Sequence, residues 1–264
     1  MDSLQAIILA LLQGLTEFLP ISSSGHLILP SAVLGWPDQG LAFDVAVHVG
    51  SLLAIVWFFR KDVLSIALGS LESVQNRQWN PESQTLLFLV IATIPAGLAA
   101  LTFNDLIESE LRSPLVIAST TLCFGLLLGV ADKFGSREKS LLKMTLWAAF
   151  IIGCAQAIAL IPGTSRSGIT MTAALLLGFQ RDAAARFSFL MSIPIIVLSG
   201  AYKGLELVSG ATPQWDLIAI GVVVSAISAY ACVYWFMAVI ERMGMLPFVL
   251  YRIVLAAILF ALFV

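Results

Sequence analysis

Apolar residues run along this chain in blocks near the length of a membrane-crossing helix, about 20 residues. Four blocks carry no charge: Gln84–Phe103, Ser113–Ala131, Thr145–Pro162 and Leu217–Ile240. Three more enclose polar groups: Gly40–Phe59 with Asp44 and His48, Ala183–Ala201 with Arg186, and Leu246–Val264 with Arg252. Other apolar stretches are short and broken. Leu4–Leu19 holds Gln13 and Glu17 and runs into Pro20, while Ile21–Leu34 opens on Ser22, Ser23, Ser24, Gly25 and His26 and contains Pro30. Gly163–Phe179, equally broken, follows the block that ends at Pro162. Irregular backbone at membrane depth is tolerated only where it is buried in protein or lines a wet cavity. The pattern therefore predicts two re-entrant helical hairpins, at 4–34 and 145–179, and six spans elsewhere. Asp62–Glu72 reads equally as a short amphipathic surface helix or a connecting loop. Residues 73–83, 104–112, 132–143 and 202–216 read as polar connections.

Composition narrows the class. The chain has 264 residues, 59% hydrophobic and 11% charged, where a soluble domain has about 45–50% and about 25%. Mean hydropathy is +0.98. These values exclude a soluble globular enzyme and a disordered chain. A net charge of −2 offers no basic field to a polyanion, so no nucleic-acid partner is expected. Cys123, Cys154 and Cys232 lie in apolar runs without metal or disulfide spacing. Met1-Asp2-Ser3 lacks the basic start of a signal peptide. The expectation is one integral membrane domain over 1–264.

An internal repeat organises it. QGLTEFLPISSSG at 13–25 and QAIALIPGTSRSG at 156–168 align at a constant offset of 143, pairing Gln13 with Gln156, Ser22 with Ser165, Ser24 with Ser167 and Gly25 with Gly168. Each copy sits at a broken helix. The halves are then about 1–131 and 144–264, each a re-entrant hairpin plus three transmembrane helices. Three spans per half is an odd number, so the second half must be inverted. In that topology ten Lys/Arg lie on the cytoplasmic side (Arg60, Lys61, Arg77, Lys133, Arg137, Lys139, Lys143, Arg181, Arg186, Arg242) and two, Arg112 and Lys203, outside. Treating both hairpins' first arms as full spans gives eight against four. The re-entrant arrangement agrees better with the positive-inside bias. Inverted repeats with broken helices place binding sites at the repeat interface.

The chemistry gathers there. An ionisable group at membrane depth is functional by default, and Arg166 lies in GTSRSG between Ser165 and Ser167. Its guanidinium suits phosphate bidentately. If helices begin near Gly25 and Gly168, the serines and free backbone N–H groups make two facing anion cradles. Glu17, Ser22, Ser23, Ser24, Gly25 and His26 come from the first, and Thr164, Ser165, Arg166, Ser167 and Gly168 from the second. Together they describe a phosphate or diphosphate pocket. Blander readings stand beside this one. Glu17 and Arg166 also read as a buried ion pair, His26 as a structural histidine, Ser24 and Ser167 as helix caps, and Gln13 as a helix–helix hydrogen bond. Asp44 and His48 read as support for the pocket. Arg252 reads as a structural residue that snorkels, and Asp132, Lys133, Arg137 and Lys139 as a solvated loop.

GLTEFLPISSSGH and PGTSRSG, at this separation, resemble the bacterial undecaprenyl-pyrophosphate phosphatase family, also called the bacitracin-resistance protein family, over nearly the whole chain. Its first signature, (Glu/Gln)-x-x-x-Glu with the Ser-rich turn and His, matches Gln13, Glu17, Ser22, Ser23 and His26. Its second, PGxSRSG, matches Pro162–Gly168. The resemblance implies an inner-membrane enzyme, open to the periplasm, that converts undecaprenyl pyrophosphate to undecaprenyl phosphate for reuse in peptidoglycan synthesis and confers bacitracin resistance. It implies a divalent cation, Mg2+ or Ca2+, held by Glu17 with Gln13. Many members carry Glu at the position of Gln13, so one carboxylate is missing from that metal site. Expected partners are the polyprenyl diphosphate and membrane lipid, with a homodimer left open.

Arg166, both turns and the ion would hold the diphosphate. Glu17 either binds the ion or activates the nucleophile. Ser23 or His26 attacks, with His26 as base or leaving-group acid if Ser23 does; a water activated by Glu17 fits too. The alternative is a flippase or transporter of undecaprenyl phosphate, since facing broken helices are also a transporter design.

Overall fold

The computed structural model describes residues 1–36, 39–207 and 214–263, with the side chains at 28, 32, 104, 105, 108, 203 and 205–207 excepted. The described residues form helices α1 (Ser3–Thr16), α2 (Ser23–Leu34), α3 (Leu41–Phe58), α4 (Arg60–Asn76), α5 (Pro81–Ser109) and α6 (Pro114–Phe134). They continue as α7 (Leu146–Ile158), α8 (Arg166–Leu176), α9 (Arg181–Leu207), α10 (Trp215–Met243) and α11 (Leu246–Phe263). The chain is an all-α, multi-pass membrane protein. Six helices are long and apolar enough to cross a bilayer: Leu41–Phe58, Pro81–Phe103, Pro114–Phe134, Arg181–Tyr202, Trp215–Met243 and Leu246–Phe263. These correspond to the six expected spans. The uncharged block Thr145–Pro162 yields only the 13-residue α7, about 20 Å at 1.5 Å per residue, too short to cross.

The helix ends follow local rules. Asp2 caps α1 with a reciprocal Gln5 bond, and Asn80 caps α5, whose first residue is Pro81. Three connections come out differently from the sequence expectation. The 62–72 segment is a full helix, α4, reaching Asn76. Helix α5, with Pro95 inside it, runs on through the expected connection 104–112 as far as Ser109, because that segment itself holds no Gly or Pro. Helix α9 continues to Leu207 inside the expected 202–216 connection, and residues 208–213 lie outside the described residues.

Packing places the two broken helices centrally. Helix α10 packs on α3 and α1, α5 on α7, and α11 on α6, while α8 contacts α6, α7 and α9. The main core joins Phe18, Phe59, Phe187, Phe189 and Phe236 with Met171, Leu175 and Ile152.

One end of the molecule carries a set of polar ties. Arg181 grips Asp132 through Nε–Oδ1 at 2.6 Å and Nη2–Oδ2 at 2.9 Å. Arg186 meets Asp62 at 2.6 Å, and the Asp182 N–H donates to Glu241 Oε1 at 2.8 Å. Lys139 Nζ donates to Leu177 O at 2.7 Å. Asp132 is thus a buried partner and Lys139 a helix-end donor, where the sequence suggested a solvated loop. The cause is tertiary: the chain returns at Arg181 and Leu177 to meet them.

Candidate active site

Both hairpins turn by one device. Helix α1 ends at Thr16, and Glu17 caps it with its N–H on Gln13 O at 2.9 Å. After Pro20, Ser22 takes φ 73 and its Oγ accepts from the Gly25 N–H at 3.4 Å, opening α2. After Gly163, at φ +87, Ser165 takes φ 70 and its Oγ accepts from the Gly168 N–H at 3.2 Å, opening α8. A non-glycine residue held at positive φ costs about 1–3 kcal/mol and marks functional sites. The first N–H groups of each helix have no intrahelical partner, so each turn aims free donors at its mouth.

The turns also grip each other. The Gly163 N–H donates to Ser24 Oγ at 3.2 Å, and Ser167 Oγ donates to Leu19 O at 2.9 Å. The caps are therefore Ser22 and Ser165; Ser24 and Ser167 cross-link the turns instead, because the partner turn lies within reach of their hydroxyls.

Glu17 sits at the junction, 9% exposed. Its Oε1 accepts from Arg166 Nη2 at 3.1 Å. Its Oε2 accepts from Ser23 Oγ at 2.9 Å and Gln13 Nε2 at 3.0 Å. Gln13 thus bonds within its own helix rather than across helices. His48 Nε2 lies 3.9 Å from the same oxygen. Arg166, first residue of α8, also donates to Ser188 O at 3.4 Å and lies over the Phe18 ring at 6.0 Å. Asp44 and His48 line a cavity of about 120 Å³ with Val45, Ser199 and Gly200.

His26 bonds to Ser22 and Tyr251 rather than to Ser23. Its Nδ1 lies 2.7 Å from Ser22 O and its Nε2 2.6 Å from the Tyr251 hydroxyl, the rings tilted by only 10°. A carbonyl only accepts, so Nδ1 carries a proton, and in the neutral ring Tyr251 donates to Nε2. The Ser23 hydroxyl belongs to Glu17, not His26, because Ser23 begins α2 beside the end of α1. Arg252 does not snorkel. It is fully buried and bonded to the backbone of both turns. Tyr251 is the residue that sequence reasoning passed over, and Arg252 was read as structural without a tie to the site; a Tyr-Arg pair inside an apolar run was the signal.

Two buried atoms of the site have no hydrogen-bond partner, Gln13 Oε1 and Thr164 Oγ1. Gln13 turns its Nε2 to Glu17 Oε2 and leaves its own Oε1 unpartnered, so the hard oxygen donors on offer here are that amide oxygen and the Glu17 carboxylate. Among the described residues no group of three or more His, Cys, Asp or Glu could hold a metal by itself. Mg2+ needs no such cage, since one or two carboxylates plus substrate phosphates suffice.

The model of the bacitracin resistance protein BacA family matches residues 6–258. This chain belongs to that family. It is 59% identical over 261 residues to the undecaprenyl-diphosphatase of Teredinibacter turnerae, covering 98% of this chain and 99% of the relative. It is 58% identical over 263 residues to that of Saccharophagus degradans, covering 99% and 98%. It is 53% identical over 270 residues to undecaprenyl-diphosphatase 2 of Stutzerimonas stutzeri, covering 100% and 99%. In this family member both interlocked turns, and the Glu17–Arg166 contact between them, fall inside the matched span.

Proposed function

We infer that this chain is an undecaprenyl-diphosphatase. It removes the terminal phosphate of undecaprenyl diphosphate, releasing undecaprenyl phosphate for renewed use in peptidoglycan synthesis, and thereby confers bacitracin resistance. The observation that carries the reading is the meeting of Glu17, Ser23 and Arg166 between two helix N-termini. Full-length relatives named undecaprenyl-diphosphatase support it.

The chemistry demands positioning and charge stabilisation more than covalent machinery. Arg166 and the N–H groups opening α2 and α8 hold the diphosphate, with the side chains of Ser22, Ser24, Thr164, Ser165 and Ser167 shaping the cradle around Gly25 and Gly168. Ser23 Oγ attacks the terminal phosphorus while Glu17 Oε2 takes its proton. The bond from that phosphorus to the bridging oxygen breaks, and undecaprenyl phosphate leaves. The departing undecaprenyl phosphate carries off that proton from Glu17, which then takes a proton from a water attacking the same phosphorus; the P–Oγ bond breaks, Glu17 returns the proton to Ser23 and inorganic phosphate leaves. His26, held by Ser22 and Tyr251, orders the first turn behind Ser23. A divalent cation, Mg2+ or Ca2+, fits Glu17 with Gln13 Oε1, and when bound would neutralise developing charge on the diphosphate oxygens.

The inner membrane, a site open to the periplasm and an inverted repeat over the single domain belong to the same reading. The ties among Asp62, Asp132, Arg181, Arg186 and Glu241 support it. They gather segments that the charge bias assigns to the cytoplasmic side. The decisive experiment is release of inorganic phosphate from a polyprenyl diphosphate by purified wild type and Arg166→Ala. No release, together with movement of labelled lipid in liposomes, would replace this reading with transport.

A further inference from the structure

Arg252 lies in the apolar run of α11, 0% exposed. A guanidinium has five N–H donors, and backbone carbonyls surround this one. Nε donates to Thr121 O at 2.9 Å. Nη1 donates to Thr164 O at 2.9 Å and Pro20 O at 3.4 Å. Nη2 donates to Gly163 O at 3.0 Å and Thr120 O at 3.3 Å. Among the described residues no carboxylate pairs with it. A buried cation is costly unless its donors are satisfied; here carbonyl dipoles satisfy them and the charge keeps no counter-ion. Glycine leaves the room. A Cβ at Gly168 would stand 2.9 Å from Arg252 Nη1, and one at Gly125 2.9 Å from Arg252 Cβ.

The carbonyls come from three places. Pro20 lies in the first turn, shortly after Glu17. Gly163 and Thr164 lie in the second, just before Arg166. Thr120 and Thr121 belong to α6, and their hydroxyls also hold Pro162 O at 2.6 Å and Gly163 O at 3.2 Å. We propose that Arg252 is a positioning residue for the phosphatase reaction: its guanidinium ties the two turns into one unit, and so keeps Glu17 and Ser23 in register with Arg166. The proposal rests on the reading of the site given above. It carries an electrostatic consequence. The Thr164 carbonyl shares its planar peptide with the Ser165 N–H at the mouth of α8, so a cation on the carbonyl strengthens that N–H as a donor. Glu17 and Arg166 cancel in charge, which leaves Arg252 as the uncompensated positive charge of the three for an incoming diphosphate.

The test uses purified full-length wild type, Arg252→Lys, Arg252→Met and Gly125→Ala. Amide hydrogen exchange is followed over residues 19–26 and 161–168, and phosphate release over a range of polyprenyl diphosphate concentrations. Arg252→Met is expected to exchange faster in both turns while α5 and α10 stay protected. Its kcat per folded molecule is expected to fall at least about tenfold, as misplaced reacting groups do, with KM within about threefold. Arg252→Lys, which keeps the charge but has fewer donors, should fall between. If Arg252→Met fails to fold, Gly125→Ala, which crowds the guanidinium stem, should move both readouts the same way by a smaller factor. Unchanged exchange in either turn overturns the proposal, and so do opened turns with wild-type kcat. A wild type that releases no phosphate, with variants that still open both turns, would sink the activity reading and leave the tie between the turns standing.

Discussion

Glu17 Oε1 and Arg166 Nη2 meet at 3.1 Å across a sequence separation of 149 residues, at the point where two broken helices end their turns. The pair is neither a surface bridge nor a simple staple, since the other carboxylate oxygen holds the Ser23 hydroxyl. Arg166→Ala is therefore expected to nearly abolish phosphate release from a polyprenyl diphosphate. Glu17→Ala should lose at least about two orders of magnitude in kcat, the scale of an acid–base group. Wild-type turnover in either folded variant would remove that residue from the mechanism.

Ser23 is the hydroxyl in hand for attack. Ser23→Ala should fall by at least about 100-fold, as loss of a group in proton-coupled attack does. Acid quench of wild type during turnover should trap phosphate on Ser23, located by peptide mass mapping. A quench that traps no phosphoenzyme would assign the attack to water instead.

The His26–Tyr251 contact at 2.6 Å separates two contributions. Tyr251→Phe keeps the ring and loses one hydrogen bond, worth about 1 kcal/mol, so roughly a fivefold drop in kcat is expected. His26→Ala loses the ring that orders the first turn and should cost about 100-fold, the scale of a misplaced reacting group. Equal losses in the two variants would mean that Tyr251, not His26, is the group that matters.

Gln13→Glu restores a second carboxylate beside Glu17. The variant should keep or raise activity and show a steeper dependence on Mg2+ or Ca2+, read by titrating the ion back after chelation. An unchanged ion response would place Gln13 away from the metal.

Asp132 tests stability apart from chemistry. It accepts two bonds from Arg181 and one from the Met245 N–H at 3.1 Å. Asp132→Ala leaves these donors unpaired and should cost roughly 2–3 kcal/mol, seen as a lower thermal midpoint in detergent. Folded Asp132→Ala should retain wild-type kcat, and a kcat lost with the midpoint unchanged would contradict that structural role.

The sequence by itself determined the six spans, the two hairpins and the residues at their turns. Each of these is local: twenty apolar residues must be a helix in lipid, and Ser, Gly and Pro clusters must break one. It also singled out Glu17 and Arg166, because an ionisable group in an apolar run is rare enough to be noticed without knowing its neighbours. What it could not supply was partnership. That Ser24 and Ser167 hold the opposite turn rather than capping their own helix depends on where that turn lies. That His26 answers to Tyr251 depends on α11 passing beside α2. Arg252 shows the difference most plainly. In the sequence it is one arginine in an apolar run, with every reason to reach for water. Only the fold surrounds it with carbonyls from Pro20, Thr120, Thr121, Gly163 and Thr164, and those backbone dipoles, invisible in residue names, are what let the charge stay buried beside the site.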